Sequence, residues 1–269
     1  MTDHDKPIGV FDSGVGGLTV AHAIRRILPG ESMIYFGDTA HLPYGDKSPE
    51  SIIYYSKKIT GFLLGKQCKA IVIACNTASS VGYEEISKYA GDQALIFNVI
   101  DPVTDYYHEF LAPKTVGVIG TKATIQSGAY EKKILAENPG VKVFSKATPL
   151  LVPMIEEGFI YDDISNAIIR AYLSDKPLDN VEALILGCTH YPIIKNQIRR
   201  FYNFDVEILD SASIVAGALK SRLEADGLLH SGRRGKDRFF VSDYTPYFKK
   251  IAGMFFDGSI ELEKRDLWR

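Results

Sequence analysis

The amino-acid sequence predicts an α/β protein made of two similar α/β domains with mainly parallel sheets. Short apolar runs rich in β-branched residues alternate with longer amphipathic stretches, and this alternation is typical of βαβ units around a parallel sheet. Several of these runs are apolar at every position, which indicates strands that are covered on both faces. Two pairs of segments also resemble each other in the same order along the chain, which indicates a duplicated unit.

The predicted strands follow one another along the chain, and an amphipathic stretch follows nearly all of them. In chain order they are IGVF (8–11), MIYF (33–36), AIVIAC (70–75), ALIFNVI (94–100), TVGVIG (115–120), VKVF (141–144), ALILGC (183–188) and VEILD (206–210). The helix after the second strand has a well-marked start, because Ser48 can cap it, Pro49 suits its first position and Glu50 favours its positive end. The region from the 190s to the 260s is expected to hold another strand and two or three helices, which the pattern alone assigns to neither half.

The internal resemblance consists of two pairs of segments. The first strand of one half resembles the first strand of the other half, and a later strand that ends in cysteine resembles its counterpart in the same way. The matching segments are IGVFDS (8–13) with VGVIGT (116–121), and CKAIVIACNTASS (68–80) with VEALILGCTHYP (181–192). Gly9 precedes Cys75 by 66 residues, and Gly117 precedes Cys188 by 71. The similar spacing predicts that the two cysteines follow equivalent strands, one in each half of the molecule.

Composition and charge exclude several classes of protein. Of the 269 residues, 46% are hydrophobic and 24% are charged, and the formal net charge is −2, which is ordinary for a globular protein. A short cationic cluster is interpreted as a solvated loop, so no nucleic-acid partner is expected; it comprises Arg233, Arg234, Lys236 and Arg238. The apolar runs have the length of strands, and MTDHDKPIGVF lacks the apolar core of a signal peptide. We therefore expect no membrane partner and no secretion.

The cysteine content argues against a disulfide framework or a zinc site. The chain has three cysteines and no CxxC pair, which fits a reducing cytoplasm. DSGVGG (12–17) is rich in glycine but matches neither the dinucleotide fingerprint nor the Walker sequence. Its glycines permit a tight turn and a close approach of backbone to ligand, so we interpret it as the floor of a small-anion pocket. No cofactor and no metal are expected.

Polar residues are concentrated at the carboxyl ends of the predicted strands, where parallel sheets bind their ligands. They are Asp12-Ser13, Asp38-Thr39, Cys75-Asn76-Thr77, Gly120-Thr121 and Cys188-Thr189-His190. A simpler interpretation is that they cap the following helices, and a helix start that is capped in this way is also an anion site. The polar edge is therefore a plausible site, but this feature alone does not identify its chemistry.

Two of the three cysteines are candidates for chemistry. A single cysteine at a strand end is most often a small buried hydrophobic residue, and this interpretation suits Cys68. Cys75 and Cys188 instead stand at matching positions in matching halves, and polar side chains follow each of them. His190 lies two residues after Cys188, and a histidine beside a thiol can lower its pKa.

Taken together, these motifs resemble the glutamate racemase family, within the broader aspartate/glutamate racemase group. DSGVGGLTV, GDTAHLPYG, ACNTAS and GCTHYP occur in the order of that family and cover nearly the whole chain. The resemblance implies that Cys75 and Cys188 are the two acid/base thiols, with Asp12 and His190 supporting them and Glu156 as an auxiliary carboxylate. By spacing, Glu156 fits this role rather than its neighbour Glu157. The implied substrate contacts are Asp12, Ser13, Tyr44, Gly45, Asn76, Thr77, Thr124, Thr189 and His190.

The resemblance also implies the architecture and the biological setting. It implies two α/β domains with the active site in the cleft between them, the first formed by residues 1–99 plus 210–269 and the second by residues 100–209. It further implies racemisation of glutamate without a cofactor, a cytoplasmic homodimer, and D-glutamate supplied for peptidoglycan. Cys75 is expected to face D-glutamate and Cys188 to face L-glutamate. One departure concerns the GDTA-PYG loop, where His41 and Leu42 stand in place of an arginine and a variable residue.

Two other functions fit the same residues. One is racemisation of aspartate or of another amino acid. The other is a non-catalytic protein that binds an amino acid or senses redox state, in which Cys75 and Cys188 form a reversible disulfide. Alkylation of the thiols distinguishes a binding protein, which keeps its ligand, from a racemase, which loses turnover.

Overall fold

The computed structural model describes residues 3–111, 115–230, 232, 235–244, 248–249, 252–253, 256 and 260–268. Within these ranges the chain forms two sheets in which every strand pair is parallel. Of the predicted cationic cluster, Arg233 and Arg234 lie outside the described residues. No helix in the described ranges combines the length and the apolar character that a membrane crossing requires.

The first sheet has six strands in the order β10-β9-β2-β1-β3-β4. Their bounds are β1 Ile8–Asp12, β2 Met33–Gly37, β3 Ala70–Ile73, β4 Leu95–Asn98, β9 Arg238–Val241 and β10 Leu262–Lys264. The second sheet has four strands in the order β6-β5-β7-β8. Their bounds are β5 Thr115–Gly120, β6 Lys142–Ala147, β7 Ala183–Gly187 and β8 Glu207–Asp210.

The helices cover the sheets. They are α1 Leu18–Ile27, α2 Pro49–Gly65, α3 Asn76–Ala90, α4 Asp101–Phe110, α5 Lys122–Ser127, α6 Ala129–Glu137, α7 Leu151–Glu156, α8 Asp163–Leu173, α9 Lys195–Phe201 and α10 Ser211–Ala225. The predicted start of α2 is confirmed, since the Ser51 N–H donates to Ser48 Oγ at 3.3 Å and Pro49 occupies the first turn. The cap of α3 is Cys75 itself, whose sulfur accepts from the Ala78 N–H at 3.4 Å.

Consecutive residues of the central strands point to opposite faces of the sheet and enter different hydrophobic clusters, so both faces of each sheet are buried. In β1, Val10 belongs to one cluster and Phe11 to another. In β7, Leu184 and Ile185 divide between two further clusters in the same way. Burial on both faces explains why these strands are apolar at every position rather than at alternate positions.

The two halves share one topology, as the internal resemblance predicted. The strand order β2-β1-β3-β4 of the first sheet corresponds to β6-β5-β7-β8 of the second. Strand β3 therefore corresponds to β7, so Cys75 and Cys188 follow equivalent strands. Helix α10 follows the last strand of the second sheet but packs against α1, and β9 and β10 then extend the first sheet. The exact domain boundaries at residues 99/100 and 209/210 stay a prediction.

Strands β9 and β10 lie in the C-terminal region where another strand was expected, but neither corresponds to one of the eight named segments. Both are short, and β10 consists of Leu262, Glu263 and Lys264, so apolar patterning does not reveal it. Arg238 on β9 forms two hydrogen bonds to Glu263, at 2.9 and 2.7 Å, and Lys236 pairs with Glu261 at 2.9 Å. The described part of the cationic cluster thus pairs with acidic side chains at the edge of the sheet.

Candidate active site

One pocket lies where the carboxyl ends of the two sheets face each other. It is lined by residues that follow β1, β2 and β3 of the first sheet and the equivalent strands β5, β6 and β7 of the second. The lining residues are Ser13, Leu42, Pro43, Tyr44, Gly45, Asp46, Cys75, Asn76, Thr77, Thr121, Lys122, Thr148, Pro149, Val152, Pro153, Cys188, Thr189 and His190. Both cysteines of interest therefore open onto one cavity.

Cys75 lies at the start of α3 in a buried setting. Its thiol donates to Ser13 Oγ at 3.6 Å, and its sulfur accepts from the Ala78 N–H at 3.4 Å. Burial, and after it the negative charge of Asp12, raises the pKa of the Cys75 thiol to about 12. Cys75 therefore holds its proton at neutral pH.

Cys188 faces a histidine instead. Its sulfur lies 3.8 Å from His190 Nδ1, and His190 Nε2 lies 3.0 Å from Glu156 Oε1. Burial by itself lowers the pKa of His190, but the hydrogen bonds to Cys188 and Glu156 outweigh it and raise that pKa to about 10. At neutral pH both ring nitrogens then carry protons, so Nδ1 donates to the sulfur and Nε2 to the carboxylate.

Asp12 is fully buried behind the pocket wall. Its carboxylate accepts from the Gly14 N–H at 2.9 Å and from the Thr189 hydroxyl at 3.2 Å. Burial raises the pKa of Asp12, although the positive charge of His190 and the Gly14 N–H act in the opposite direction. Because Thr189 follows β7, this hydrogen bond links the loops of the two halves.

The glycines after Asp12 are required by close packing around this carboxylate. A Cβ at Gly16 would lie 2.4 Å from Thr189 Oγ1 and 2.5 Å from His190 Nδ1. A Cβ at Gly17 would lie 2.4 Å from the Cβ of Asp12. The sequence predicted a close approach of this glycine-rich backbone to a ligand. At Gly16 the backbone instead closely approaches Thr189 and His190, in the loop that follows β7.

Asn76 is held by a tyrosine from the other half of the molecule. The Tyr130 hydroxyl donates to Asn76 Oδ1 at 2.6 Å, and Tyr130 belongs to α6. Asn76 Nδ2 is buried and has no hydrogen-bond partner among the described residues. Since Asn76 lines the pocket, this amide offers a free donor beside Cys75.

Three threonine hydroxyls meet across the pocket. Thr77 Oγ1 lies 2.9 Å from Thr121 Oγ1 and 3.3 Å from Thr124 Oγ1, and the latter two are 3.0 Å apart. Thr121 also accepts from the Thr124 N–H and so caps α5. A Cβ at Gly45 would lie 2.7 Å from the Cβ of Thr121, so glycine lets the loop after β2 approach this cluster.

The loop after β2 is organised around Asp38, which is fully buried. Its carboxylate accepts hydrogen bonds from the hydroxyls of Tyr44 and Ser242, each at 2.7 Å, and His41 Nδ1 lies 2.8 Å from it. Burial and the charge of Asp38 raise the pKa of Tyr44 well above its ordinary value. The Tyr44 hydroxyl thus donates to Asp38, while Tyr44 and Gly45 are among the residues that line the pocket.

His41 occupies the position where the resemblance implies an arginine. Its ring stacks on Tyr55 with centroids 4.1 Å apart and meets the edge of Trp268 at 4.6 Å. The C-terminal Trp268 therefore packs against the loop that carries Tyr44. The His41 side chain, which stands in place of the expected arginine, is therefore held by Asp38, Tyr55 and Trp268.

Most of the predicted site residues line the pocket, and three do not. Asp12, Glu156 and Thr124 are absent from the lining. Asp12 and Glu156 lie behind it, in contact with Thr189 and His190 respectively, and Thr124 supports Thr77 and Thr121. The contribution of Tyr130 was not predicted, because nothing near it in the sequence marks a polar role.

The described residues include no group of histidine, cysteine and carboxylate side chains that could hold a metal ion. All three cysteines are free thiols. The arrangement can therefore present two thiols, one cation and several neutral donors to a small ligand. Such a set suits proton transfer to and from an anionic molecule.

Comparison with known proteins agrees with this geometry. The family model described as Asp/Glu/Hydantoin racemase matches residues 8–219. The chain belongs to the Asp/Glu/hydantoin racemase family. It is 44% identical to a glutamate racemase of Thermus thermophilus over 254 residues, which cover 94% of this chain and 93% of the relative. It is 41% identical to a glutamate racemase of Geobacter metallireducens over 256 residues, which cover 95% and 94% of the two chains.

A solved structure of the same racemase family has the same fold. The crystal structure of glutamate racemase from Francisella tularensis in complex with D-glutamate matches with a TM-score of 0.91 and 39% identity. The match covers 98% of this chain and 99% of that chain. The predicted fold class and family are thereby confirmed.

Proposed function

We propose that this protein is a glutamate racemase that interconverts L- and D-glutamate by proton transfer between two thiols. The observation that carries the proposal is the pair Cys75 and Cys188, which follow equivalent strands and open onto one pocket. The high identity to glutamate racemases over nearly the full chain supports glutamate rather than aspartate as the substrate.

Two thiols suit this reaction because racemisation removes a proton from one face of the α-carbon and returns one to the other face. A single base would have to cross the substrate, whereas two fixed groups on opposite sides need not move. The thiolate of one cysteine takes the α-proton and becomes a thiol. The thiol of the other cysteine donates its proton to the carbanion-like centre and becomes a thiolate.

The supports of the two thiols differ. We propose that protonated His190, held by Glu156, donates a hydrogen bond to Cys188 while that cysteine acts as a thiolate. Cys75 keeps its proton until the substrate binds, and the positive α-ammonium of the bound amino acid counteracts the charge of Asp12. By family resemblance, Cys188 then takes the proton of L-glutamate and Cys75 that of D-glutamate.

The carbanion-like state needs stabilisation without a cofactor. The start of α3, which directly follows Cys75, offers backbone N–H groups and a positive dipole end to the substrate carboxylate. Ser13, Asn76 and Thr189 line the same pocket and add neutral donors. Fixed donors in a water-poor site stabilise developing negative charge more than water does.

A stereochemical assay tests the proposed substrate. The change in optical rotation of L-glutamate and of L-aspartate is followed with the purified protein, and we expect racemisation of glutamate to exceed that of aspartate. Equal or faster racemisation of aspartate would show that the substrate assignment is wrong. Activity that appears only after addition of a metal or pyridoxal phosphate would contradict a cofactor-free reaction.

A labelling experiment tests the two-thiol mechanism. In heavy water, product formed in the first turnovers should carry deuterium at the α-carbon, while the remaining substrate keeps its proton. A single mobile base would label both pools or return the original proton to the product. The redox alternative predicts instead a disulfide between Cys75 and Cys188 under mild oxidation, with glutamate bound but not racemised.

The biological role and assembly complete the proposal. We propose that the protein acts in the cytoplasm as a homodimer and supplies D-glutamate for peptidoglycan. Sedimentation analysis tests the dimer, and complementation of a bacterial strain that requires D-glutamate tests the cell-wall role.

A further inference from the structure

We infer that Tyr130 is a positioning residue that fixes the amide of Asn76 so that Nδ2 donates to a carboxylate of the bound amino acid. This inference rests on the proposed function, because it takes glutamate as the ligand. Tyr130 lies on α6, outside the sequence motifs that resemble the racemase family, and the inference gives it a role in substrate binding.

The first step is the direction of the hydrogen bond between the two side chains. Tyr130 and Asn76 are both buried, and their oxygen atoms lie 2.6 Å apart. Burial, and after it the charge of Cys188, raises the pKa of Tyr130 above its ordinary value. The phenol therefore keeps its proton at neutral pH, and Asn76 Oδ1 is the acceptor for it.

The second step is the consequence for the other end of the amide. With Oδ1 turned towards Tyr130, Nδ2 turns away from it. Nδ2 is buried and finds no acceptor among the residues that the structure describes. A buried donor without a partner is costly, and Asn76 lines the pocket, so an acceptor on the ligand is the natural partner.

The third step is what happens without the tyrosine hydroxyl. An amide is free to rotate by half a turn when nothing distinguishes its oxygen from its nitrogen. In the rotated state Oδ1 would face the substrate carboxylate, and two acceptors would oppose each other. The hydroxyl of Tyr130 prevents this, because rotation would deprive its own O–H of the acceptor that it has in the structure.

The position of Tyr130 suits such a role. A Cβ at Gly187 would lie 3.3 Å from Tyr130 Cε2, so the ring packs over the end of β7 next to Cys188. Its hydroxyl reaches Asn76, which follows Cys75 on α3. Tyr130 thus bridges the two strand ends that carry the thiols.

The test removes only the hydroxyl. We expect Tyr130→Phe to raise the KM for both enantiomers by about tenfold or more, as for loss of a hydrogen bond to a charged group, with a smaller change in kcat. The matched control is Tyr202→Phe, which removes another buried tyrosine hydroxyl in the same half, bonded to the Leu178 carbonyl at 3.2 Å. It should lose similar stability and keep the wild-type KM. A wild-type KM in Tyr130→Phe would overturn the inference.

A double-mutant cycle distinguishes positioning from direct contact. Binding of D-glutamate is measured by calorimetric titration of the wild type, Tyr130→Phe, Asn76→Ala and the double variant. If Tyr130 acts through Asn76, Tyr130→Phe weakens binding in the wild-type background and has little further effect in the Asn76→Ala background. An equal loss in both backgrounds would show that Tyr130 acts independently, and the positioning role would be wrong.

The same titration separates this inference from the proposed function. A protein that binds glutamate without racemising it would refute the proposed function, while the coupling between Tyr130 and Asn76 would still be measured in binding. Normal racemisation by the wild type together with no coupling would refute only the role of Tyr130.

Discussion

Cys75 follows β3 and Cys188 follows β7, and these strands hold equivalent places in the two sheets. Their surroundings differ in charge. Cys75 lies beside Ser13, and burial, followed by the negative charge of Asp12, raises its pKa to about 12. Cys188 lies beside His190, whose pKa of about 10 leaves the ring positively charged at neutral pH. Equivalent position in the fold therefore does not imply equivalent electrostatics.

The difference teaches how a symmetric reaction can use an asymmetric site. The two enantiomers have equal free energy, so kcat/KM must be the same in both directions at every pH. The asymmetry of the site can therefore appear only in kcat and KM taken separately, and in the protonation of the groups around the two thiols before substrate binds. The high pKa of Cys75 indicates that the proton rests on this side, ready for donation after Cys188 has acted as the base.

The largest effect should come from removing either thiol. Cys75→Ala and Cys188→Ala should each reduce racemisation in both directions by about a thousandfold or more, because each direction needs one base and one acid. Each variant should still remove a proton from one enantiomer, observed as elimination from a substrate with a good leaving group. We expect Cys75→Ala to act on the L form only and Cys188→Ala on the D form only.

Cys68→Ala is the control for this pair. Cys68 is a buried free thiol that does not line the pocket, so its loss should leave racemisation unchanged. Substantial racemisation by either Cys75→Ala or Cys188→Ala would refute the two-thiol mechanism. Elimination with the opposite preference for enantiomers would exchange the assignments of the two thiols.

The second effect tests the charge beside Cys188. Glu156→Gln removes the carboxylate that holds the His190 proton, so the pKa of His190 should fall from about 10. We expect kcat to decline at lower pH than in the wild type, with a loss of about tenfold to a hundredfold at pH 9, where the variant has lost the imidazolium. The measurement is kcat between pH 6 and 10.5 for both enantiomers.

Glu157→Gln is the matched control, since Glu157 is the exposed neighbour of Glu156. It should reproduce the wild-type profile. If the pH profiles of kcat for Glu157→Gln and Glu156→Gln are the same, the hydrogen bond between Glu156 and His190 has no part in the reaction. A pH profile of Glu156→Gln identical to that of the wild type would have the same meaning.

The same pair predicts how stability depends on pH. The pKa of His190 is raised on folding from its ordinary 6.5 to about 10, so its contribution is complete below pH 6.5 and is lost as the pH rises through 10. Between these limits the free energy of unfolding should fall by a few kcal/mol, on the order of 1.4 kcal/mol per unit of pKa shift. Urea unfolding across this range should show a shallower fall for Glu156→Gln. An equally steep fall in that variant would contradict the assignment.

Much of this fold could be predicted from the sequence because burial leaves a strong pattern. Eight apolar segments corresponded to strands, four of them apolar at every position, and the repeated spacing predicted that Cys75 and Cys188 are equivalent. Strand β10 could not be predicted, since it is three residues long and two of those residues are charged. The role of Tyr130 also left no local signal, because its partner Asn76 lies 54 residues away and only the fold brings them together.

The third effect tests the charge beside Cys75. Asp12→Asn should lower the pKa of the Cys75 thiol, because the negative charge of Asp12 is the second cause of its rise after burial. The rate of alkylation of Cys75 at pH 8, measured by mass spectrometry without substrate, should increase by up to about tenfold per unit of pKa shift. Cys68, whose pKa burial alone raises to about 12, reports any general opening of the fold. An unchanged rate at Cys75, or an equal increase at Cys68, would refute this electrostatic role.

The smallest effect concerns the loop after β2, where Asp38 accepts hydrogen bonds from the side chains around it. His41→Phe keeps a ring to stack on Tyr55 and Trp268 but removes one donor to Asp38, so the Tyr44 loop should loosen and KM should rise by about threefold. His41→Arg restores a donor and should stay within about twofold of the wild type. Trp268 is the single tryptophan of the chain, so its fluorescence reports the loop directly. If His41→Phe keeps the wild-type KM while His41→Ala does not, stacking rather than the hydrogen bond to Asp38 holds the loop.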